Sequence, residues 1–276
     1  MAAVSSTAPQ FRPRRWGISP ASGLGLGMAL TWFSLLVLIP LSAVVVEASG
    51  GGWQTYVDVL SNSQDLAALR LTTLTALAAT AVNVVMGTLI AWVLVRDHFW
   101  GKSLLDVVID IPFALPTIVA GLVLLFVYGP MSPIGLDWAN TRKAVFLAIA
   151  FVTLPFVVRA VQPVLQEMDR DAEDAAASLG ASKAVTFRRV VLPALVPAIF
   201  AGASLSFARG VSEYGSLVLL SGNLPGRTEV ASMRVLSYLE GGNPEAAAAI
   251  ATIMLVVALV VIVALDIVQR RVARRD

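Results

Sequence analysis

Cysteine is absent from this chain of 276 residues, and histidine occurs once, as His98. The first absence excludes disulfides, zinc–thiolate sites and thiol nucleophiles, and one histidine leaves little for a histidine-based metal site. Charged residues are also scarce, at 14%, against about 25% in ordinary soluble domains. So few charges do not cover the surface of a soluble fold, and disorder requires low hydrophobicity and high charge. These absences exclude both a soluble enzyme and a disordered chain.

The chain instead has long apolar stretches, with 57% hydrophobic residues and a mean hydropathy of +0.80. A membrane-spanning helix needs about 20 mostly apolar residues. The first stretch that meets this length is too long for a signal peptide and lacks a cleavage-site pattern, so we interpret it as a span. The sequence therefore predicts an all-α integral membrane protein with six transmembrane helices, at residues 23–46, 71–95, 104–128, 144–166, 191–220 and 246–268.

The basic residues predict the orientation of these spans. The net charge is only +2, but most lysines and arginines flank one set of span ends, among them Arg12, Arg14, Arg15, Arg96, Lys102, Arg170, Lys183, Arg270, Arg271, Arg274 and Arg275. Basic loops remain cytoplasmic. We therefore expect a multi-pass protein of the cytoplasmic (inner) membrane, surrounded by lipid, with both termini in the cytoplasm. The predicted organisation is a cytoplasmic tail at 1–22, a six-span domain at 23–268 and a second tail at 269–276. No nucleic-acid partner is expected, because the orientation of the spans in the membrane already accounts for the basic residues.

The predicted cytoplasmic loop at 166–193 contains two short helices separated by a glycine. Residues 169–179 are rich in good helix formers, and Gly180 then ends the helix as a left-handed cap. A second helix from residue 182 is expected to end at Leu192 and Pro193, where the fifth span begins. This loop either lies on the membrane surface or docks against another protein. The first helix has one small apolar face, formed by Ala172, Ala175, Ala176 and Leu179.

This loop resembles the EAA loop of ATP-binding-cassette (ABC) importer permeases. The family pattern is Glu-Ala-Ala, three residues, Gly, nine residues and Ile-x-Leu-Pro, and Asp174 and Val190 are conservative departures from it. In that family the loop forms a coupling helix that sits in a cleft on the ATPase subunit. The resemblance implies a type I ABC importer permease fold and assigns ATPase coupling to Asp174, Ala175, Ala176, Gly180, Leu192 and Pro193.

Other segments are similar to the permeases of sulfate/thiosulfate importers, namely PFALPT at 112–117, LPFVVR at 154–159 and VQPV at 161–164. The stretch GNLPGRT at 222–228 is shared with molybdate permeases, so a molybdate or tungstate importer is the alternative. The triplet TEV at 228–230 favours the sulfate permeases of the T type. The resemblance implies transport of sulfate or thiosulfate by alternating access. The implied partners are a second, homologous permease, two ATPase subunits and an extracytoplasmic sulfate-binding protein.

The chain has no nucleotide-binding loop of its own. Gly101, Lys102 and Ser103 match the end of such a loop, but the glycine required five residues earlier is replaced by Arg96. We therefore expect a transporter subunit rather than an enzyme, with no cofactor in this chain and with ATP and Mg²⁺ bound by partner subunits. An ion-coupled secondary transporter would show paired broken helices in two related halves, and no such repeat is visible.

Arg209 and Glu213 interrupt the apolar fifth span and lie four residues apart, on one helix face. An ionisable residue within a span is by default a candidate for the translocation pathway. The alternative is that the helix ends near Gly210, that both charges reach the headgroups, and that residues 217–220 fold back. Asp106 and Asp110, near the predicted inner end of the third span, are expected to face the cytoplasm or a water-filled cavity.

Overall fold

The computed structural model describes residues 20–169 and 171–273, and these residues are helical except for short connections. The helices are α1 Pro20–Phe33, α2 Ile39–Gly50, α3 Gly52–Ser61, α4 Ser63–Arg96, α5 Lys102–Ile109, α6 Ile111–Ala114, α7 Thr117–Tyr128, α8 Arg142–Glu167, α9 Asp171–Ser178, α10 Lys183–Thr186, α11 Leu192–Val211, α12 Gly215–Leu220, α13 Ala231–Glu240 and α14 Pro244–Ala273. Two π-helical turns, Ser34–Leu38 and Phe187–Val191, join α1 to α2 and α10 to α11.

Contacts divide the chain into two units, with the boundary between Val44 and Val45. The described part of the first unit is α1, a π-helical turn and the beginning of α2. The second unit contains all the later helices, and α4, α8 and α11 contact one another at its centre. Small residues allow these helices to approach closely. A Cβ atom added at Gly87 or Gly202 would lie within 3 Å of Val157 on α8.

Helix α4 begins eight residues before the expected start of the second span, at Ser63 instead of residue 71. Asn62 caps it, because its side-chain oxygen accepts bonds from the backbone N–H groups of Gln64 (2.9 Å) and Asp65 (3.3 Å). Hydropathy placed the boundary after the charged residues, but the cap and the helix-forming sequence extend the helix through them. The predicted outer loop around residues 50–70 is therefore largely helical, as α3 and the first turns of α4.

The expected third span, 104–128, is a broken helix instead of one straight crossing. The segments Lys102–Ala114 and Thr117–Tyr128 meet at 115°. Between them, the backbone of Leu115 is extended. This is the expected effect of Pro116, because a proline ring clashes with helical backbone at the residue before it. The prolines of this span predict a kink, but its apolar sequence gives no measure of how large the bend is. By length and composition, the described residues contain five helices that could cross a membrane, or six if the bent pair counts as one span.

The expected fifth span, 191–220, has different ends in the structure. Its helix runs without a break from Lys183 through Pro193, since the wider π-helical turn accommodates the proline ring. The helix ends at Val211, and residues 215–220 form α12, which packs against α7. A Cβ atom added at Gly121 would lie 2.5 Å from the backbone oxygen of Ser216, so only glycine allows this contact.

Candidate coupling and translocation sites

The loop after α8 has the helix–glycine–helix geometry that its sequence predicts. Helix α9 ends at Ser178, and Gly180 adopts a left-handed φ of +83°. The backbone N–H of Ala181 donates to Ala176 O (3.0 Å), and that of Gly180 donates to Ala177 O (2.9 Å). This pair of bonds is the Schellman arrangement, in which glycine is favoured because it has no Cβ. The sharp turn at Gly180 separates α9 from α10.

The two sides of α9 have different environments. Ala172, Ala175 and Leu179 share one face, and all three are exposed, Leu179 to 88%. Asp174 is exposed beside them, whereas Ala176 and Glu173 are partly buried. An exposed apolar face on a short charged helix is a feature of protein contact surfaces. Leu192 and Pro193 are half-buried in the continuous helix that follows, and they do not mark a new helix start.

Arg209 and Glu213 contact each other, with 2.6 Å between Arg209 Nη2 and Glu213 Oε2. The Glu213 side chain is fully buried, so it does not reach the headgroups, while 29% of the Arg209 side chain is exposed. Glu213 Oε1 accepts bonds from the backbone N–H (2.9 Å) and the hydroxyl (2.8 Å) of Ser216. Glu213 therefore holds the first turn of α12 as well as the arginine. The helix does end near Gly210, as the alternative interpretation of this segment predicted.

A second buried charged cluster joins α4 to α13, at the end of the second unit away from α9. Asp65 is fully buried, accepting from Arg234 Nε (2.5 Å) and from the Tyr238 hydroxyl (2.7 Å). Burial acts to lower the pKa of Arg234, but the hydrogen bond and charge of Asp65 outweigh it and raise that pKa. Burial and Asp65 also raise the pKa of Tyr238 above its ordinary value. Sequence reasoning missed this cluster, since its members are 169 residues apart and lay in predicted loops or at a span end.

A third cluster surrounds Arg159 on α8. Its guanidinium donates to Asp106 Oδ1 (2.7 Å) and to both carboxylate oxygens of Asp110 (2.8 and 2.6 Å), and it also contacts Gln162. Asp106 and Asp110, expected to face the cytoplasm or a water-filled cavity, are 42% and 46% exposed, and they also hold a cation on the neighbouring helix. The sequence signal for a shared partner was the spacing of the two aspartates, because residues four apart lie on the same side of a helix. The cluster ties the first segment of the bent pair to α8.

A metal-binding arrangement is not found within residues 20–169 and 171–273, where no three His, Cys, Asp or Glu side chains come together in a suitable group. The charged clusters described above each combine an arginine with carboxylates. Such pairs hold helices together in an apolar environment, because an unpaired charge there is costly.

The fold is that of an ABC importer permease. A bacterial ABC transporter that imports the acidic polysaccharide alginate has a chain with a TM-score of 0.72 and 16% identity, covering 91% of this chain and 96% of that chain. The alginate ABC transporter in complex with a pentasaccharide-bound periplasmic protein gives 0.72 at 20% identity, covering 91% and 94%. At these identities the likeness establishes the fold alone. The predicted all-α membrane fold is confirmed.

Sequence comparison identifies the family. The model described as "Binding-protein-dependent transport system inner membrane component" matches residues 83–275, and the chain belongs to this family. It is 41% identical over 265 residues to the sulfate transport system permease protein CysT of Salmonella typhimurium, covering 94% of this chain and 96% of that protein. The corresponding Escherichia coli protein is 40% identical, with 94% and 96% covered, and that of Synechocystis sp. is 40% identical, with 96% and 95% covered.

Family membership confirms two predictions made from the sequence. The chain is a multi-pass inner-membrane component of a transport system, and it is a transporter subunit rather than an enzyme. The resemblance of the 166–193 loop and of the other segments to importer permeases is confirmed with it. The roles of individual residues rest on geometry and are proposed below.

Proposed function

We propose that this chain is a permease subunit of an ABC importer that carries sulfate or thiosulfate across the cytoplasmic membrane. The substrate assignment rests on a sequence identity of 40–41%, over almost the whole length of the chain, to permeases named for sulfate transport. Energy comes from ATP hydrolysis in partner subunits, which bind ATP and Mg²⁺. The geometry that supports such a partnership is the exposed apolar face of α9.

The proposed assembly has four kinds of component besides lipid. This chain forms one half of the translocation pathway, and a homologous permease forms the other half. Two ATPase subunits lie on the cytoplasmic side, and a sulfate-binding protein delivers the anion from outside. The alginate transporter with its periplasmic protein offers a solved parallel with the same fold. A dehydrated sulfate in lipid would meet a severe desolvation cost, so the route is a polar cavity between the two permeases.

The proposed topology has both termini and the 166–193 loop in the cytoplasm. The supporting basic residues include Arg96, Lys102 and Lys183, at the same end of the second unit as α9. Residues 1–19 and 274–276 of the predicted tails at 1–22 and 269–276 fall outside the described residues, as does Arg170; with them fall Arg12, Arg14, Arg15, Arg274 and Arg275. The proposed permease domain remains 23–268.

The proposed ATPase contact is the EAA loop. Asp174 and the exposed side of α9 meet the ATPase, and Gly180 provides the turn that presents them. Leu192 and Pro193 lie where the π-helical turn passes into α11 within one continuous helix, through which the loop continues into the membrane. ATP-driven closure of the ATPases moves α9, and the two permease halves tilt between inward and outward access. The remaining residues of the proposed contact are Ala175 and Ala176.

The proposed pathway residue is Arg209, with Glu213 as its fixed counter-charge. Arg209 keeps part of its surface exposed near the end of α11, where the helix stops. A cation held in one position by a buried carboxylate attracts an anion without binding it tightly, because the pair is neutral overall. This property suits a site that the anion must enter and leave.

Growth and uptake test the substrate. In a strain without sulfate importers, a plasmid carrying this chain and its partner subunits should restore growth on sulfate as the only sulfur source. Cysteine should rescue the strain without the plasmid, and molybdate should not. Uptake of radiolabelled sulfate should be reduced by excess thiosulfate and unaffected by molybdate. Labelled molybdate uptake without sulfate uptake would instead assign the chain to a molybdate or tungstate importer.

A further inference from the structure

The EAA loop is attached by its side chains to a helix that is not its neighbour in the chain. The loop follows α8 and precedes α11, yet Glu173 of α9 forms an ion pair with Arg96, the last residue of α4. The two side chains are 10% (Arg96) and 23% (Glu173) exposed, so water screens the pair weakly. Seventy-seven positions separate these residues in sequence. The contact is therefore a tertiary link between the loop and the central helix.

Arg96 is held in place on a second side by aromatic rings. Its guanidinium lies 5.7 Å from the ring centroid of Trp92, one turn earlier on α4. Trp92 in turn packs edge-to-face against Phe187, at 5.3 Å between centroids, in the π-helical turn that leads to α11. Cation–π and aromatic contacts of this kind add stabilisation in partly desolvated positions. Leu94 and Val191 belong to one buried apolar cluster beside them.

Helix α9 is separated from the helices before and after it by non-helical backbone. Met168 leaves the helical conformation after α8, with ψ of 119°, and Gly180 turns with a positive φ before α10. Between these joints α9 has eight residues, and Glu173 is its partly buried charged anchor. The exposed face with Ala175 lies on the other side of the helix. Beside the turn at Gly180 and the packing of α9 against α10 and the π-helical turn, the Glu173–Arg96 contact is the ion pair that links α9 to α4.

We propose that Arg96 is a positioning residue that fixes α9 to α4, so that ATP-driven displacement of α9 is delivered to α4 directly. This proposal deepens the proposed function and rests on it. Helix α4 continues unbroken for 34 residues to the Asp65–Arg234 contact at its other end. Arg96 and Asp65 are separated by about 45 Å along the axis. One rigid helix thus connects the loop to the opposite side of the permease.

The coupling of hydrolysis to uptake tests this proposal. The complete complex is reconstituted into vesicles with the sulfate-binding protein, and sulfate uptake per ATP hydrolysed is measured for wild type, Glu173→Gln and Arg96→Ala. We expect both variants to hydrolyse ATP and their uptake per ATP to fall about fivefold or more, within the range of ordinary coupling energies. Asp266→Asn is the matched control, because it breaks an exposed Asp–Arg pair on α14 and should leave the ratio unchanged.

A reversible tether separates positioning from mere folding. The chain has no native cysteine, so Arg96→Cys with Glu173→Cys can be joined specifically by a reducible bifunctional thiol reagent. The tethered complex should show the wild-type ratio, and reduction of the tether should lower it in the same molecules. An unchanged ratio in Glu173→Gln, in Arg96→Ala and after reduction would overturn the proposal.

A distance measurement keeps the test independent of the cargo. Spin labels at Ser178→Cys on α9 and Leu89→Cys on α4 report whether the two helices move together. We expect the same distance without nucleotide and in the vanadate-trapped state, and a broadened or shifted distance when Glu173→Gln is added. A distance that changes equally with and without Glu173→Gln would refute the link between α9 and α4. If the wild-type complex takes up no sulfate but the distance between the two labels is the same in both nucleotide states, only the substrate assignment is refuted.

Discussion

Removal of Arg209 should destabilise the permease far more than its partial exposure suggests. The Glu213 side chain has no exposed surface, whereas 29% of Arg209 is exposed. Arg209→Ala therefore leaves a fully buried carboxylate, which keeps its two bonds from Ser216 but loses its counter-charge. Breaking a buried pair on one side costs about 3–5 kcal/mol. Glu213→Gln leaves the arginine partly in contact with water and preserves an acceptor for Ser216, so its cost should be smaller, about 1–3 kcal/mol.

Thermal unfolding of the detergent-purified complex measures these costs. For a chain of this size, the expected loss lowers the melting temperature of Arg209→Ala by on the order of 10 °C. Arg209→Ala combined with Glu213→Gln should recover most of that loss, because neither charge then remains unpaired. Arg270→Ala, which breaks an exposed pair, should shift the midpoint by less than about 2 °C. A melting temperature for Arg209→Ala within that same margin would refute the structural role of the pair.

The double variant also distinguishes the two roles of Arg209. Uptake is normalised to the amount of assembled complex, so that losses of folding are removed from the comparison. If Arg209 attracts the anion, Arg209→Ala with Glu213→Gln should assemble normally and transport slowly. A wild-type normalised rate would eliminate Arg209 from the pathway and leave the pair as a brace between α11 and α12.

Two glycines give further predictions. Gly180→Val forces a β-branched side chain to a φ of +83°, which costs at least about 1–2 kcal/mol of strain. We expect the amount of ATPase that copurifies with each permease to fall, while insertion into the membrane is unchanged. Gly135→Val, at a φ of +72°, is the control. Equal ATPase recovery in both variants would contradict the coupling role. Gly121→Ala places a Cβ atom 2.5 Å from the backbone of Ser216, so α12 must move, and the free energy of unfolding should fall by about 1–3 kcal/mol. Thermal unfolding measures this loss. Gly25→Ala is the control, because its Cβ atom meets no other atom within 4 Å.

The sequence was sufficient to find the apolar helices and the glycine turn of the EAA loop, since both depend on local patterns. Hydropathy finds a helix wherever enough apolar residues follow one another. The left-handed turn at Gly180 follows from the one residue that adopts it without strain. Pro116 predicts a kink in the third span, but not its size, because an apolar run has the same composition whether it bends slightly or turns through 115°.

The ion pairs lay beyond sequence reasoning except where their members are close in the sequence. Arg209 and Glu213 were paired by their spacing of four, and they are in contact. The predicted spans leave Arg96 in a cytoplasmic loop and Asp65 and Arg234 in outer loops, with no partner assigned to any of them. Their partners lie 77 and 169 residues away, and no local pattern specifies which distant helix will be adjacent. A charge next to an apolar span was the one signal that a partner was required.

The length of α4 has a consequence for the membrane in which the permease works. At 34 residues, α4 is about 51 Å long, whereas a bilayer measures about 40–45 Å between its headgroup surfaces. At an average tilt of about 20° the helix still reaches about 48 Å across the bilayer, so at least one of its ends extends past the headgroups. Helices adapt to bilayer thickness by changing their tilt. Membrane thickness would then set the angle at which α9 is presented to its ATPase, so the lipid itself becomes a determinant of how well the subunits engage.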